Sequence, residues 1–194
     1  MPNIFLTSDW HFGHDREFIW GPRGFNSIGE HDAEIIARHN SLVKPDDDVY
    51  VLGDLMLGDN EHGLRCINRM NGRLHIIIGN HDTEKRKGLY IERLDNLVQI
   101  QYATMFKWNG YHFYCSHYPS YTGNLERESL KQMTLDLFGH THQKSNFYQD
   151  IPFMYHVGLD SHNGYPVEIN EIVRDMNAKV DECKDFLKGG EEDY

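Results

Sequence analysis

The sequence predicts an α/β fold with a parallel-rich first half and an antiparallel-rich second half. Three observations lead there. Between residues 4 and 78, short apolar runs alternate with amphipathic stretches. Beyond residue 97 strand-like segments dominate, two of them joined by Asn109-Gly110. Finally, 39% hydrophobic and 25% charged residues over 194 positions suit a globular chain with a substantial core.

Ile4-Phe5-Leu6 reads as a buried strand. Ser27-x-x-Glu30 forms a capping-box pattern ahead of a helix from about Asp32 to Lys44, with Ile35, Ile36, Leu42 and Val43 on one face and Pro45 as its stop. Val49 to Leu52 is a second buried strand. Asp59 can cap a helix whose Leu64, Ile67 and Met70 recur every third residue and whose end Gly72 marks. His75 to Ile78 is a third strand, and strand–helix alternation favours parallel pairing through right-handed crossovers. Leu97 to Gln101 follows. Thr104 to Trp108 and Tyr111 to Ser116 flank Asn109-Gly110, a type I′ hairpin signal. Leu135 to Phe138 and Phe153 to Val157 are further strands, and Glu168 to about Leu187 has helical spacing. One domain over residues 1–188 and an acidic tail over 189–194 are expected.

The net charge of −11 disfavours duplex nucleic acid as a partner. No apolar run approaches the roughly 20 residues of a membrane span, and Met1 to Asp9 lacks the marks of a secretory signal. Cys66, Cys115 and Cys183 are odd in number and widely spaced, which argues against a disulfide framework or a thiolate zinc site and for a cytoplasmic setting.

The chemistry lies just after the apolar runs. Asp9 and His11 follow the first, Gly53-Asp54 the second and Gly79-Asn80-His81-Asp82 the third; Ser116-His117 and Gly139-His140-Thr141-His142 follow two later ones. Ligands in open α/β sheets sit beyond the carboxyl ends of strands, so these five ends can converge. Carboxylate, amide and imidazole donors suit a transition metal such as Mn, Fe, Zn, Co or Ni better than Mg or Ca. Seven donors exceed what one tetrahedral ion takes. They suit two divalent ions sharing a carboxylate, with Asp54 the candidate bridge. Two such ions against the charges of Asp9 and Asp54 leave a positive centre that would attract a small phosphate ester.

Asp9-x-His11, Gly53-Asp54, Gly79-Asn80-His81-Asp82, His117 and Gly139-His140-Thr141-His142 together resemble the calcineurin-like metallophosphoesterases, in the same order. The resemblance implies a four-layer α-β-β-α sandwich, two mixed sheets face to face with helices outside. It implies one metal on Asp9, His11, Asp54 and His142 and another on Asp54, Asn80, His117 and His140. His81 would face the phosphate and protonate the leaving oxygen, and Asp82 would orient His81. The expected activity is hydrolysis of a phosphomonoester or small, nucleotide-like phosphodiester.

His14 is a candidate substrate-phosphate contact, and Arg16 and Arg23 are candidate clamps for substrate charge. Trp10, Phe12, Phe18, Trp20 and Phe25 are expected to pack in the core. The oligomeric state leaves no mark in the sequence.

Overall fold

The computed structural model describes residues 2–122 and 129–189, with side chains through residue 183. Its elements are β1 (Ile4–Thr7), α1 (Glu17–Trp20), α2 (Ile28–Leu42), β2 (Asp48–Leu52), α3 (Asn60–Ile67), β3 (Arg73–Ile77), α4 (Glu84–Arg93), β4 (Leu97–Gln101), β5 (Ala103–Trp108), β6 (Tyr111–Ser116), β7 (Thr134–Phe138), β8 (Met154–His156), β9 (Val167–Glu168) and α5 (Ile169–Gly189). Residues 190–194 of the expected acidic tail lie outside the described residues.

The first sheet has the order β4-β3-β2-β1-β9 and the second β5-β6-β7-β8. β1 to β4 pair in parallel and β9 joins β1 antiparallel. In the second sheet β5 and β6 are antiparallel, whereas β6, β7 and β8 run parallel. Both sheets are therefore mixed, and the α/β sandwich expected of the family is the fold found. The expected antiparallel-rich second half is corrected, since only the β5–β6 hairpin of the second sheet pairs antiparallel.

The period-two alternation of a strand decides which residues face where. Val49, Val51, Leu74 and Ile76 turn outward to meet Ile35 and Ile36 of α2, Leu64 and Ile67 of α3 and Tyr90 of α4. Leu6, Leu52 and Ile77 turn inward to Phe113, Cys115, Leu135, Leu137 and Tyr155 of the second sheet, and Ile169, Ile172 and Met176 of α5 join that cluster. A core on each face locks the first sheet, so the turns at its strand ends stand on a rigid base.

Local signals operate with two amendments. Ser27 Oγ accepts from the Glu30 amide at 3.2 Å, but the Glu30 carboxylate accepts from the Asn26 amide, one residue before the expected partner. Leu42, expected on the buried face of α2, is the last residue of that helix and is exposed. Asn109 and Gly110 have φ of 46° and 84°, the left-handed pair that a type I′ turn requires, and Trp108 faces Tyr111 across it. Among the described residues no helix is long and apolar enough to cross a membrane.

Candidate metal centre

β1, β2 and β3 run parallel, so the turns that follow them lie at the same edge of the sheet. The Asp9 amide donates to Gly53 O and the His11 amide to Asp54 O, both at 3.0 Å, stitching the first two turns together. Asp9, His11, Asp54, His140 and His142 have φ of 59°, 51°, 56°, 66° and 48°. These five are more than half of the nine left-handed non-glycine residues among those described. Such conformations are costly for side chains with a Cβ, and they concentrate where side chains must be aimed. Two glycines give the aimed carboxylates room. A Cβ on Gly79 would collide with Asp54 Oδ1, and one on Gly139 would stand 2.6 Å from Asp9 Oδ2.

Two groups of donor atoms result. In the first, His11 Nε2 lies 3.3 Å from His142 Nε2 and 3.9 Å from Asp9 Oδ1. In the second, His117 Nε2 lies 2.9 Å from Asn80 Oδ1 and 3.5 Å from Asp54 Oδ2. Asp54 Oδ2 is also 3.8 Å from His11 Nε2, which places one carboxylate oxygen within reach of both groups.

The supporting hydrogen bonds fix which ring nitrogens carry protons. His117 Nδ1 donates to Leu52 O at 2.7 Å, so in the neutral ring Nε2 presents a lone pair to two oxygens. His142 Nδ1 donates to Asp160 Oδ2 at 2.8 Å and turns Nε2 towards His11. Asp9 Oδ1 and His11 Nδ1 are buried and have no hydrogen-bond partner among the described residues. Lone pairs turned on one another repel, and a shared cation removes the repulsion. The donor set therefore fits divalent metal.

The titration directions differ from one candidate ligand to the next. Burial, then the neighbouring His142, holds His11 well below the ordinary imidazole value, so its neutral, ligating form is favoured. Burial opposes charge on His142, but its hydrogen bond to Asp160 and the Asp9 carboxylate outweigh that and raise it. Burial pushes Asp54 up, against the pull of His117. Burial likewise would raise Asp160, but its hydrogen bonds from His142 and Arg23 hold it below the usual carboxylate range.

The other expected residues are placed as follows. The His140 ring sits 5.0 Å from that of His117, centre to centre, and its amide donates to Asp9 Oδ2. His81 is half exposed, with Nε2 4.0 Å from Asp54 Oδ2, and its amide donates to Asp54 Oδ1 at 2.8 Å. His14 stacks at a tilt 5.3 Å from His11. All three line one cavity of about 540 Å³ with His11, Asp54, Asn80 and His142.

Asp82 corrects the expectation. Its carboxylate accepts from the amides of Asp54, Leu55 and Gly79 and from Tyr90 Oη, at 2.7 to 3.2 Å. Both oxygens are thus committed to the turns after β2 and β3, so Asp82 holds backbone rather than the His81 ring. Arg23 departs too. Buried, it donates from Nε and Nη2 to Asp160 and from Nη2 to Asp9 O, so its charge is used inside the fold. Asp160 stands three residues beyond the Phe153–Val157 run, but nothing in the sequence pairs it with Arg23 or His142. Phe18, expected in the core, is 68% exposed at the cavity wall.

The family model for the calcineurin-like phosphoesterase superfamily domain matches residues 3–159. The chain belongs to that superfamily. It is 29% identical over 184 residues to an uncharacterized protein of Methanocaldococcus jannaschii, covering 90% of this chain and 91% of that one. It is likewise 29% identical over 184 residues to the gene 66 protein of Mycobacterium phage L5, covering 83% of this chain and 88% of the phage protein. A solved protein of unknown function from Aquifex aeolicus shares the fold, with a TM-score of 0.66 at 22% identity over 90% of this chain and 99% of that one. As a calcineurin-like phosphoesterase, the chain is a metal-dependent phosphoric ester hydrolase.

Proposed function

We propose that this hydrolase is dinuclear and acts on a phosphomonoester or a small, nucleotide-like phosphodiester. The observation that carries the reading is the position of Asp54 Oδ2, within 4 Å of ring nitrogens from both donor groups. Asp9, His11, Asp54 and His142 would hold one ion; Asp54, Asn80, His117 and His140 would hold the other. Manganese, iron, zinc, nickel or cobalt suits these donors. The chemistry that such a pair supplies is hydroxide near neutral pH and positive charge for the phosphoryl oxygens.

The chain's own groups do the rest. Half-exposed His81 faces the cavity beside Asp54, where its imidazole can pass a proton to the departing ester oxygen. His14 lines the same wall and can donate to a phosphate oxygen. Phe18, Ile19, Pro22 and Leu57 form an apolar side of the cavity, with Lys144 nearby. That wall suits an ester carrying an organic, planar group better than a bare polyphosphate. Three free cysteines suit a reducing, cytoplasmic setting.

The test is His81→Ala in the metal-loaded protein, assayed on aryl phosphomonoesters, cyclic nucleotides and dinucleotides. Turnover is expected to fall by about 10²–10⁴-fold while metal content stays unchanged. Loss of metal in step with turnover would remove His81 from the proton-transfer role, and absence of turnover by the loaded parent protein on every ester would overturn the substrate reading.

A further inference from the structure

A second cluster of ligating side chains lies behind the first centre. α3 carries His62 and Cys66 one helical turn apart, on one face, and α2 brings Asp32 against them. His62 Nε2 is 2.7 Å from Asp32 Oδ2 and 3.4 Å from Cys66 Sγ, and one donor atom from each of the three lies within 4.8 Å of the others. Asp32 and Cys66 are buried, whereas the His62 side chain is 39% exposed. We propose that Asp32, His62 and Cys66 form a separate binding site for a thiophilic divalent cation, of which zinc fits best, with water completing the coordination on the open side.

The donor set is selective. Sulfur, imidazole and carboxylate together suit zinc or cobalt and exclude magnesium and calcium, which require oxygen. An ion about 2.0–2.3 Å from each donor separates tetrahedral ligands by about 3–4 Å. The His62–Cys66 spacing already meets that, and the Asp32–His62 hydrogen bond would widen as the ion replaces its proton. Charge balances as well: a carboxylate and a thiolate neutralise a divalent ion while His62 stays neutral. Burial, with the Asp32 charge beside it, pushes the Cys66 thiol up to about 11, so a bound cation is what would release its proton.

Asp32 is oriented as a ligand would be. Arg23 Nη1 donates to His31 Nε2 at 2.9 Å, which leaves the His31 proton on Nδ1. That proton goes to Asp32 Oδ1 at 2.8 Å, so Oδ2 remains turned towards His62. The Gly13 amide donates to the same Oδ2 at 3.0 Å, setting the cluster one hydrogen bond from the turn between His11 and His14. No residue is shared with the first centre, and no sulfur belongs to that centre. Cys115 is buried in the inter-sheet core and Cys183 lies on α5.

Cobalt makes the site readable. The reduced full chain, loaded with Co²⁺, is expected to show a near-ultraviolet sulfur-to-cobalt charge-transfer band, and elemental analysis should find one ion more than Cys66→Ser retains. Cys66→Ser should lose the band and that ion but keep hydrolysis, with far-ultraviolet circular dichroism checking its fold. His62→Gln, at the half-exposed position, tests the site without emptying the core; it should weaken cobalt at the thiolate by about tenfold or more. Absence of the band in the cobalt-loaded parent chain, or its persistence in Cys66→Ser, overturns the proposal. Because the band reports sulfur alone, it is independent of whether the first centre holds two ions or hydrolyses any ester.

Discussion

The two halves of the first centre are built by opposite means. Around Asp9, His11 and His142 the support is a charged side-chain network: His142 leans on Asp160, and Asp160 is gripped by Arg23 from 137 positions away. Around Asp54, Asn80 and His117 the support is hydrogen bonding to main chain. Leu52 O fixes the His117 ring, and Asp82 gathers three amides from the turns that carry Asp54 and Asn80. A site held by charge can be loosened by neutralising one group, while a site held by backbone yields only when the fold does. The comparison therefore separates metal affinity from stability.

Asp54 stands where the halves meet, so Asp54→Asn should have the largest effect. A drop in kcat/KM on the order of 10³-fold, with loss of ions from both halves by elemental analysis, is expected. If one ion stays at full affinity, Asp54 is not shared. Asp82→Ala comes next and acts on stability, since it leaves three amides and Tyr90 Oη without their acceptor. About 3–5 kcal/mol should be lost in denaturant titration of the metal-free protein. Asp160→Asn leaves the buried Arg23 without its counter-charge, so it too should cost stability. It should in addition weaken metal at the charge-held half by about 10–100-fold in competition with a chelator, an effect Asp82→Ala should show less. Were the two variants to exchange signatures, the contrast would be wrong.

Asp136 offers the smallest effect and a reference outside both halves. It is buried, accepts from the Ser120 amide, and burial pushes it up to about 7. A carboxyl raised in the folded state binds its proton more tightly there than in the unfolded chain. Its contribution is complete below the unfolded value near 4 and is lost as pH rises through about 7. Asp136→Asn should remove this dependence, making the unfolding free energies from urea titration at about pH 5 and pH 8 more alike by about 1–2 kcal/mol. An unchanged pH slope would show that Asp136 does not titrate in this window.

The candidate ligand positions were legible because each follows an apolar run, and parallel pairing of β1, β2 and β3 brings three of those ends to one edge. The supports were not. Tyr90 is the one buried residue of α4, so residues 84–93 lack the apolar stripe that betrays a helix, and Gly88 interrupts them further. The two residues of β9 are too few to show alternation. Arg23 is legible as a candidate charge clamp but not as the partner of Asp160, since a salt bridge between distant turns leaves no periodicity. His62 and Cys66 have helical spacing, but Asp32 reaches them from another helix.

The left-handed backbone at Asp9, His11, Asp54, His140 and His142 has a further consequence. At about 1–2 kcal/mol for each such residue, less for aspartate, the five together rival the net stability of an ordinary domain. Glycine would relax every one of these corners and hold no ion. Selection for thermal endurance alone would thus erode the enzyme's chemistry, corner by corner, and any lineage that dispensed with hydrolysis would be free to grow sturdier.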